Sequence, residues 1–482
     1  MKVLLIYPPY RHGRFVLPKG LAYVAACLLK AGHEVKVLDA DAFVFTDEQL
    51  KQRLLDEEYD VVGISALATA YNFVLKVAHF IKRIKPSVSI IVGGHLATHS
   101  YEILLRNSSV DFCVIGEGEV TAVDLLAALS GEKSLKDVNG IAYKENGFVI
   151  KTKPREFIEN LDEIPFPAWD LFSAEEVYSR NTYTTNIFKA GRHLFINGSR
   201  GCPYSCTFCS YQKKVRLRSP ASIIEELKYM KQKYGIRNFS FEDELFMVKK
   251  ERTEEFCNRL IEEKLDLYWW ASGRVNLVDK DILSLAKRAG CIRMSYGIES
   301  GSPEVLKRMK KNITPEGVEK AIRMTHEAGI QPGGTWILGM PGENEETIRM
   351  SVALYKKINK YRNGCNEFFF ATAYPGTVLY RQMQEKGRIT DEHEYMKKLS
   401  QSGDAFNFVV NCTDAFSDVQ LAEMKKRIDK EVKKDFYRKH PFLWIYKVLN
   451  LNIITRVIIF IKINGFAYCL DKVKMRLMPK KT

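Results

Sequence analysis

The stretch HLFINGSRGCPYSCTFCS (193–210) decides how this chain folds. Its apolar start, His193 to Ile196, reads as a short buried strand, and it runs directly into Cys202, Cys206 and Cys209 at C-x3-C-x2-C spacing. Thiolates this close on a glycine-punctuated loop converge on one soft metal centre, and three of them leave a corner of an iron-sulfur cube open. A structural zinc site would want a second ligand pair and a closed shell; no second pair appears. Cys27, Cys113, Cys257, Cys291, Cys365, Cys412 and Cys469 are scattered singly, mostly among apolar neighbours, and read as small buried hydrophobes. A chain of 482 residues buries sizeable cores without staples, so no disulfide framework is expected.

Outward from the cysteines, a helical pattern (Ala221 to Tyr234) is followed by alternating segments: FSFEDE (239–244), a helix near 251–263, LYWWASGRV (267–275) and a helix near 279–289. IRMSYGIES (292–300), a helix near 314–328, GGTWILGMPGE (333–343), a helix near 344–359 and EFFFATAYPGT (367–377) continue the series. Six strand and helix units in succession predict a parallel sheet curled toward a barrel, with working residues at the carboxyl ends of its strands. Over residues 190–380 the chain resembles the radical S-adenosylmethionine (SAM) enzymes. The resemblance implies that Cys202, Cys206 and Cys209 hold three irons of a [4Fe-4S] cluster whose fourth iron is chelated by SAM. It places Phe208 near the adenine, and Glu242, Asp243 or Glu244 on the SAM amino group. Arg274, Glu299, Ser300, Gly339 and Glu343 become SAM or substrate contacts. The three acids stand where the family commonly has two glycines and a glutamate, which leaves the contacting carboxylate open.

The amino-terminal part alternates in the same way: KVLLIY (2–7), a helix near 20–31, HEVKVLDA (33–40), DVVGISA (60–66), a helix near 71–84, SIIVGGH (89–95), VDFCVIGEGE (110–119) and a helix near 120–130. Continuous apolar strands between helices predict a doubly wound parallel sheet with a ligand outside its carboxyl edge. The first strand is followed by PPYRHGRFVLPKG (8–20), not the G-x-G-x-x-G of a nicotinamide site. With YPP near the start, GG-x(4)-H after the fourth strand and GEGE after the fifth, this part resembles the cobalamin-binding subfamily of radical SAM enzymes. Ser65, Gly93, Gly94, His95, Gly116, Glu117 and Glu119 are the corrin contacts this implies. D-x-H-x-x-G, whose histidine ligates cobalt in many cobalamin domains, does not occur. His12, His95 and His99 are the nearby imidazoles that remain.

The fold class expected is α/β: a Rossmann-like cobalamin-binding domain (1–135), a connector with a hairpin turning at Glu145 to Gly147 (136–190), a partial (β/α)6 TIM-type radical SAM core (191–400) and a mainly helical carboxyl-terminal extension (401–482). Residues 417–482 hold 16 Lys or Arg against 6 Asp or Glu, so +10 of the chain's +15 lies there. No nucleic-acid module accompanies this charge, and no nucleic-acid partner is expected. A basic helix, Leu421 to Lys439, runs into PFLWIYKVLNLNIITRVIIFIKINGFAY (441–468), whose Lys447, Arg456 and Lys462 leave no uncharged run long enough to cross a bilayer. The pattern suits a segment lying on a membrane surface; the alternative is a helical lid on the barrel. MKVLLIYPPY reads as a strand meeting proline, with no signal peptide expected; an oxygen-sensitive cluster and free cysteines suit a reducing cytoplasm, so the location expected is cytoplasmic, peripheral at the inner membrane face.

The resemblance implies a mechanism. An electron donor such as a flavodoxin or ferredoxin reduces the cluster, SAM is cleaved, and the 5′-deoxyadenosyl radical takes hydrogen from an unactivated carbon. Methylcobalamin then supplies a methyl group to an apolar or lipid-like substrate. Oxidation or ring closure without methyl transfer, as in the anaerobic tetrapyrrole cyclase, is the second reading, and a non-catalytic cobalamin-binding protein with a vestigial cluster the third.

Overall fold

Both predicted sheets form in the computed structural model, which describes residues 1–10, 18–43, 45–172, 191–361, 368–402, 405, 407–448 and 458. In the first, β1 (Lys2–Tyr7), β2 (Glu34–Asp39), β3 (Val61–Ser65), β4 (Ser89–Gly93) and β5 (Phe112–Val114) run parallel in the order β2-β1-β3-β4-β5. The order reverses between β1 and β3, and the crevice outside such a reversal is where doubly wound sheets bind ligands. Ser65 ends β3 at that point. The hairpin expected in the connector, β6 (Ile141–Glu145) and β7 (Phe148–Lys151), instead pairs antiparallel with β5, so the first sheet runs on to Lys151 with seven strands. Asn146 (φ 50°) and Gly147 (φ 83°) form its two-residue turn, the left-handed pair whose twist matches a hairpin.

The second sheet begins with β8 (Arg192–Ile196), after which a short antiparallel ribbon, β9 (Ser199–Arg200) with β10 (Arg216–Leu217), closes the cysteine loop. β11 (Ile236–Phe241), β12 (Tyr268–Gly273), β13 (Cys291–Glu299), β14 (Gln331–Leu338) and β15 (Phe369–Phe370) follow, each parallel to and beside its predecessor in the sheet. Local chemistry marks the connections. Ser219 caps the helix Pro220–Tyr234, proline occupies its first turn, and left-handed Gly235 (φ 60°) ends it one residue before β11. Ser302 and Thr314 repeat the cap-then-proline device for the helices Pro303–Arg308 and Pro315–Glu327.

Several helices of the described residues are not expected from the sequence, among them Asp47–Asp56, Gly94–Asn107, broken at Ser100, and the short Pro303–Arg308, Val378–Glu385 and Glu392–Ser402. The last docks the barrel onto the first domain. Ser400 Oγ donates to Thr69 O (2.8 Å) and accepts from Asn72 N (3.2 Å), and Tyr71 Oη bonds His393 Nδ1 (2.8 Å). One buried cluster joins Ile64, Val92 and Leu96 to Met309, Ala371, Leu379 and Met396 across this junction. Non-directional apolar burial therefore holds the two sheets together.

The basic helix Asp418–Lys439 is a lid. Leu421, Met424, Ile428, Val432 and Phe436 are buried at helical spacing against the barrel, and Asn359 Nδ2 donates to Asp435 Oδ2 (2.9 Å). This helix packs on the barrel, as its apolar stripe finds the helix Glu345–Ile358; of the apolar stretch 441–468 expected on a membrane surface, 449–457 and 459–468 lie outside the described residues. Among the described residues no helix is long and apolar enough to cross a membrane.

Candidate active site at the facing sheet edges

Backbone bonds fix the cysteine loop before any ligand enters. Cys202 N donates to Gln212 O (2.8 Å) and Cys209 N to Cys206 O (3.2 Å). Helix ends grip it from both sides: Thr207 N donates to Met309 O (3.0 Å), and Thr207 O accepts from Leu379 N (2.9 Å). Gly201 has φ 86°, and a Cβ there would collide with Lys214 O, so only glycine passes beneath the loop. The three motif cysteines are half-buried and free. Burial pushes the Cys209 thiol up, a Tyr211 backbone bond opposes this, and the neighbouring Cys206 and Cys202 thiols raise it further, which places all three in one patch. Among the described residues no three His, Cys, Asp or Glu side chains converge as on a single ion. A cube, where each thiolate takes a different iron, asks for no such convergence, and the loop fits it.

The three acids after β11 do different things. Asp243 is buried and accepts from Gly198 N (2.7 Å) and Ser199 Oγ (2.5 Å). Burial pushes its carboxyl up to about 6 against those bonds. Glu244 Oε2 accepts from Gly201 N (3.1 Å). Both thus brace the approach to the cluster loop. Glu242 is exposed and faces Lys19 Nζ at 3.7 Å across the domain junction.

At the end of β12, Arg274 is 5 % exposed, its guanidinium 3.6 Å over the Tyr204 ring of the cysteine loop. Its Nε and Nη2 have no hydrogen-bond partner among the described residues. An uncompensated buried cation is costly, so this position suits the carboxylate of SAM. Glu299 ends β13 with φ 67°, a strained conformation for a non-glycine residue. Its carboxylate accepts from Lys311 Nζ (2.9 Å) and Thr335 Oγ1 (3.1 Å), and Lys311 Nζ lies 5.7 Å from the Phe208 ring centroid. Lys311 belongs to no motif, and sequence reasoning misses it. The signal for it is Gly297, where a Cβ would lie 2.6 Å from its Nζ. Ser300 Oγ is taken up by Ser351 Oγ (3.1 Å) and Ser302 N (3.2 Å), turned into the scaffold. Glu343 Oε2 accepts from Gly339 N (2.5 Å) and Met340 N (3.1 Å), closing the GMPGE turn, and burial pushes its carboxyl up to about 7.

The opposing edge of the first sheet is mostly backbone. Gly94 has φ 80°, and a Cβ there would sit 2.7 Å from Ala66 O, so only glycine lets the ends of β3 and β4 pack this closely; beside it Gly93 adds no side chain to the edge. Gly116 (φ 84°) donates its N–H to Thr98 Oγ1 (3.1 Å). This bare edge fits the close approach of a broad corrin. His95 lies 5.8 Å (ring centroids) from both His99 and Tyr211, so the cobalamin edge touches the cluster loop two residues past Cys209. Burial lowers both imidazoles, His99 to about 4 with help from His95, which keeps them neutral near pH 7. His12 lies outside the described residues. Glu117 and Glu119, expected on the corrin, are turned instead onto Arg200 and Arg216.

A model of the radical SAM superfamily matches residues 196–355, and one of the B12 binding domain matches 13–126. The chain is 34% identical over 394 residues to an uncharacterized methyltransferase of Pyrococcus horikoshii, covering 79% of this chain and 82% of that one. It is 28% identical to the anaerobic magnesium-protoporphyrin IX monomethyl ester cyclase of Rubrivivax gelatinosus, over 82% of this chain and 72% of the relative. The fold is that of the radical SAM methyltransferase TsrM from Kitasatospora setae, solved with cobalamin and a [4Fe-4S] cluster (TM-score 0.65, 20% identity, 80% of this chain and 75% of that one). Cysteine loop, bare corrin edge and these likenesses agree: the chain belongs to the cobalamin-binding radical SAM enzymes, which work with a [4Fe-4S] cluster, SAM and cobalamin.

Proposed function

We propose that the enzyme transfers a methyl group to an unactivated carbon of an apolar, lipid-like small molecule. The observation that carries this reading is the contact between the two edges: His95 beside the corrin edge lies 5.8 Å from Tyr211 of the cluster loop. The cofactors supply the radical and the methyl carrier when bound; the chain's own residues bind, orient and exclude water. Cys202, Cys206 and Cys209 would hold the cluster. Arg274 would take the SAM carboxylate, Glu242 the SAM amino group, and the Phe208 ring would lie against the adenine. Ser65, Gly93, Gly94 and Gly116 would carry the corrin. A small one-electron donor, such as a flavodoxin or ferredoxin, completes the set.

The lipid-like class is supported by the far end of the lid. In the helix Pro441–Val448, Phe442 is 83% exposed and Trp444 51%, a few residues after Arg438 and Lys439, which share Asp435 as their ion-pair partner and leave one net positive charge there. Exposed aromatics beside basic residues suit the headgroup level of an acidic membrane surface. Likeness to the cyclase favours a second reading, ring closure without methyl transfer.

One experiment tests both. After anaerobic reconstitution with iron, sulfide and cobalamin, the enzyme is given a reductant, methyl-labelled SAM and a lipid extract. Methyl transfer predicts labelled lipid with S-adenosylhomocysteine and 5′-deoxyadenosine; ring closure predicts 5′-deoxyadenosine without S-adenosylhomocysteine. SAM cleavage with no labelled lipid overturns the lipid reading. Cleavage at the same background in the parent and in Cys206→Ala would leave a non-catalytic cobalamin carrier.

A further inference from the structure

The ribbon that closes the cysteine loop contains a conflict. In its register Arg216 stands directly opposite Arg200, and like charges across an antiparallel pair destabilise it. Two pairs of residues are also too few for an independently stable ribbon. What offsets this comes from the other domain. Arg200 Nη1 donates to Glu117 Oε1 (2.9 Å) and its Nη2 to Glu119 Oε1 (2.5 Å). Arg216 Nη1 donates to Glu117 Oε2 (2.8 Å), and its Nη2 lies 2.8 Å from Glu117 Oε1. Arg216 and Glu119 are each 4% exposed, and charge-assisted forks of this kind are strong and geometrically specific.

Both arginines lead straight to the first cluster cysteine. Arg200 precedes Cys202 by two residues. Arg216 Nη2 donates to Gln212 Oε1 (3.3 Å), and Gln212 O receives the Cys202 N–H. The acids in turn sit at the start of the helix Gly118–Leu129, Glu117 as its N-cap residue, directly after Gly116 of the corrin edge. The connector joins in: Ile158 N donates to Glu117 Oε2 (3.1 Å), and Ile158 O accepts from Arg216 Nη1 (2.8 Å).

We propose that Glu117 and Glu119 are positioning residues for the iron-sulfur cluster: through Arg200 and Arg216 they hold the cysteine loop closed, so that cobalamin on the first domain strengthens cluster retention. The inference is independent of which carbon, if any, is methylated. Because coupling between two sites is reciprocal and typically about 5- to 150-fold, it is read in binding rather than turnover.

The full chain, reconstituted anaerobically with iron and sulfide, is desalted with and without hydroxocobalamin. Iron per chain, the electron paramagnetic resonance spectrum of the reduced cluster and bound hydroxocobalamin are then measured. In the parent, hydroxocobalamin is expected to slow iron loss at least about fivefold. In Glu117→Gln/Glu119→Gln, iron loss is faster, the spectrum shifts, and hydroxocobalamin, still bound, no longer protects. Full iron with the parent spectrum overturns the proposal, as does loss of hydroxocobalamin with the cluster intact, which would make the two acids corrin contacts. Should the double variant not fold, Arg216→Lys decides. It keeps the charge but loses the fork, and unchanged iron retention in it overturns the proposal.

Discussion

The two edges that face each other are made of opposite materials. The edge of the first sheet offers glycines, Gly93, Gly94 and Gly116, that put no side chain on it, and at Gly94 a Cβ would collide with Ala66 O. On the barrel edge Asp243, Arg274, Glu299, Lys311 and Glu343 are all ionisable and all at most 7% exposed. A bare edge lets a broad ring approach the backbone closely; the rim of buried ionisable groups is held mostly by its own partners and leaves Arg274 as the cation proposed for a small zwitterion. The comparison teaches that a large cofactor asks for the absence of side chains and a small one for their placement.

Substitutions can break this contrast, beginning with the strongest. Cys206→Ala should reduce SAM cleavage to the level without enzyme while cobalamin still binds, measured by 5′-deoxyadenosine release and the corrin absorbance. Gly94→Val, at φ 80°, should do the reverse. Strain of about 1–3 kcal/mol and the clash with Ala66 O should weaken cobalamin binding at least about tenfold, with the iron content reached in the absence of cobalamin unchanged. Arg274→Gln should weaken SAM binding to the reconstituted enzyme by about 30-fold in calorimetric titration, near 2 kcal/mol for a lost buried charge pair. A cobalamin affinity that fell equally would show the edges are not separate.

A stability change without loss of activity sharpens the barrel side. Glu343 is raised from 4.5 to about 7, so its ionised form is disfavoured in the fold, and the parent loses stability as pH rises from 4.5 through 7. A glutamine at this position would still accept from the Gly339 and Met340 N–H groups and has no proton to lose. Glu343→Gln should therefore gain stability relative to the parent across that window, by up to about 3 kcal/mol, and plateau above it, as read from paired thermal melts. A flat difference from pH 4.5 to about 8 would show that the carboxyl is not held against ionisation.

Much of the fold is legible in the chain because its signals are local. The apolar period of KVLLIY and the Ser-Pro and Gly that bracket Pro220–Tyr234 act within a few residues. The helix Gly94–Asn107 is hidden because Ser100 breaks its period. Strand-end position correctly locates the charged rim of the barrel but does not separate its roles. Asp243, Ser300 and Glu343 occupy ligand-like positions, yet their oxygens are taken by backbone N–H groups and hydroxyls that the strand ends would otherwise leave unpaired.

The sequence alone settled where a cluster can form, since three thiolates within eight residues can meet one iron-sulfur cube whatever the rest of the chain does. Only the tertiary structure decided what each charge does. Arg200 and Arg216 meet Glu117 and Glu119 across 81 to 99 residues of chain. An ion pair's strength depends on distance and burial, and neither exists until two sheets have packed edge to edge.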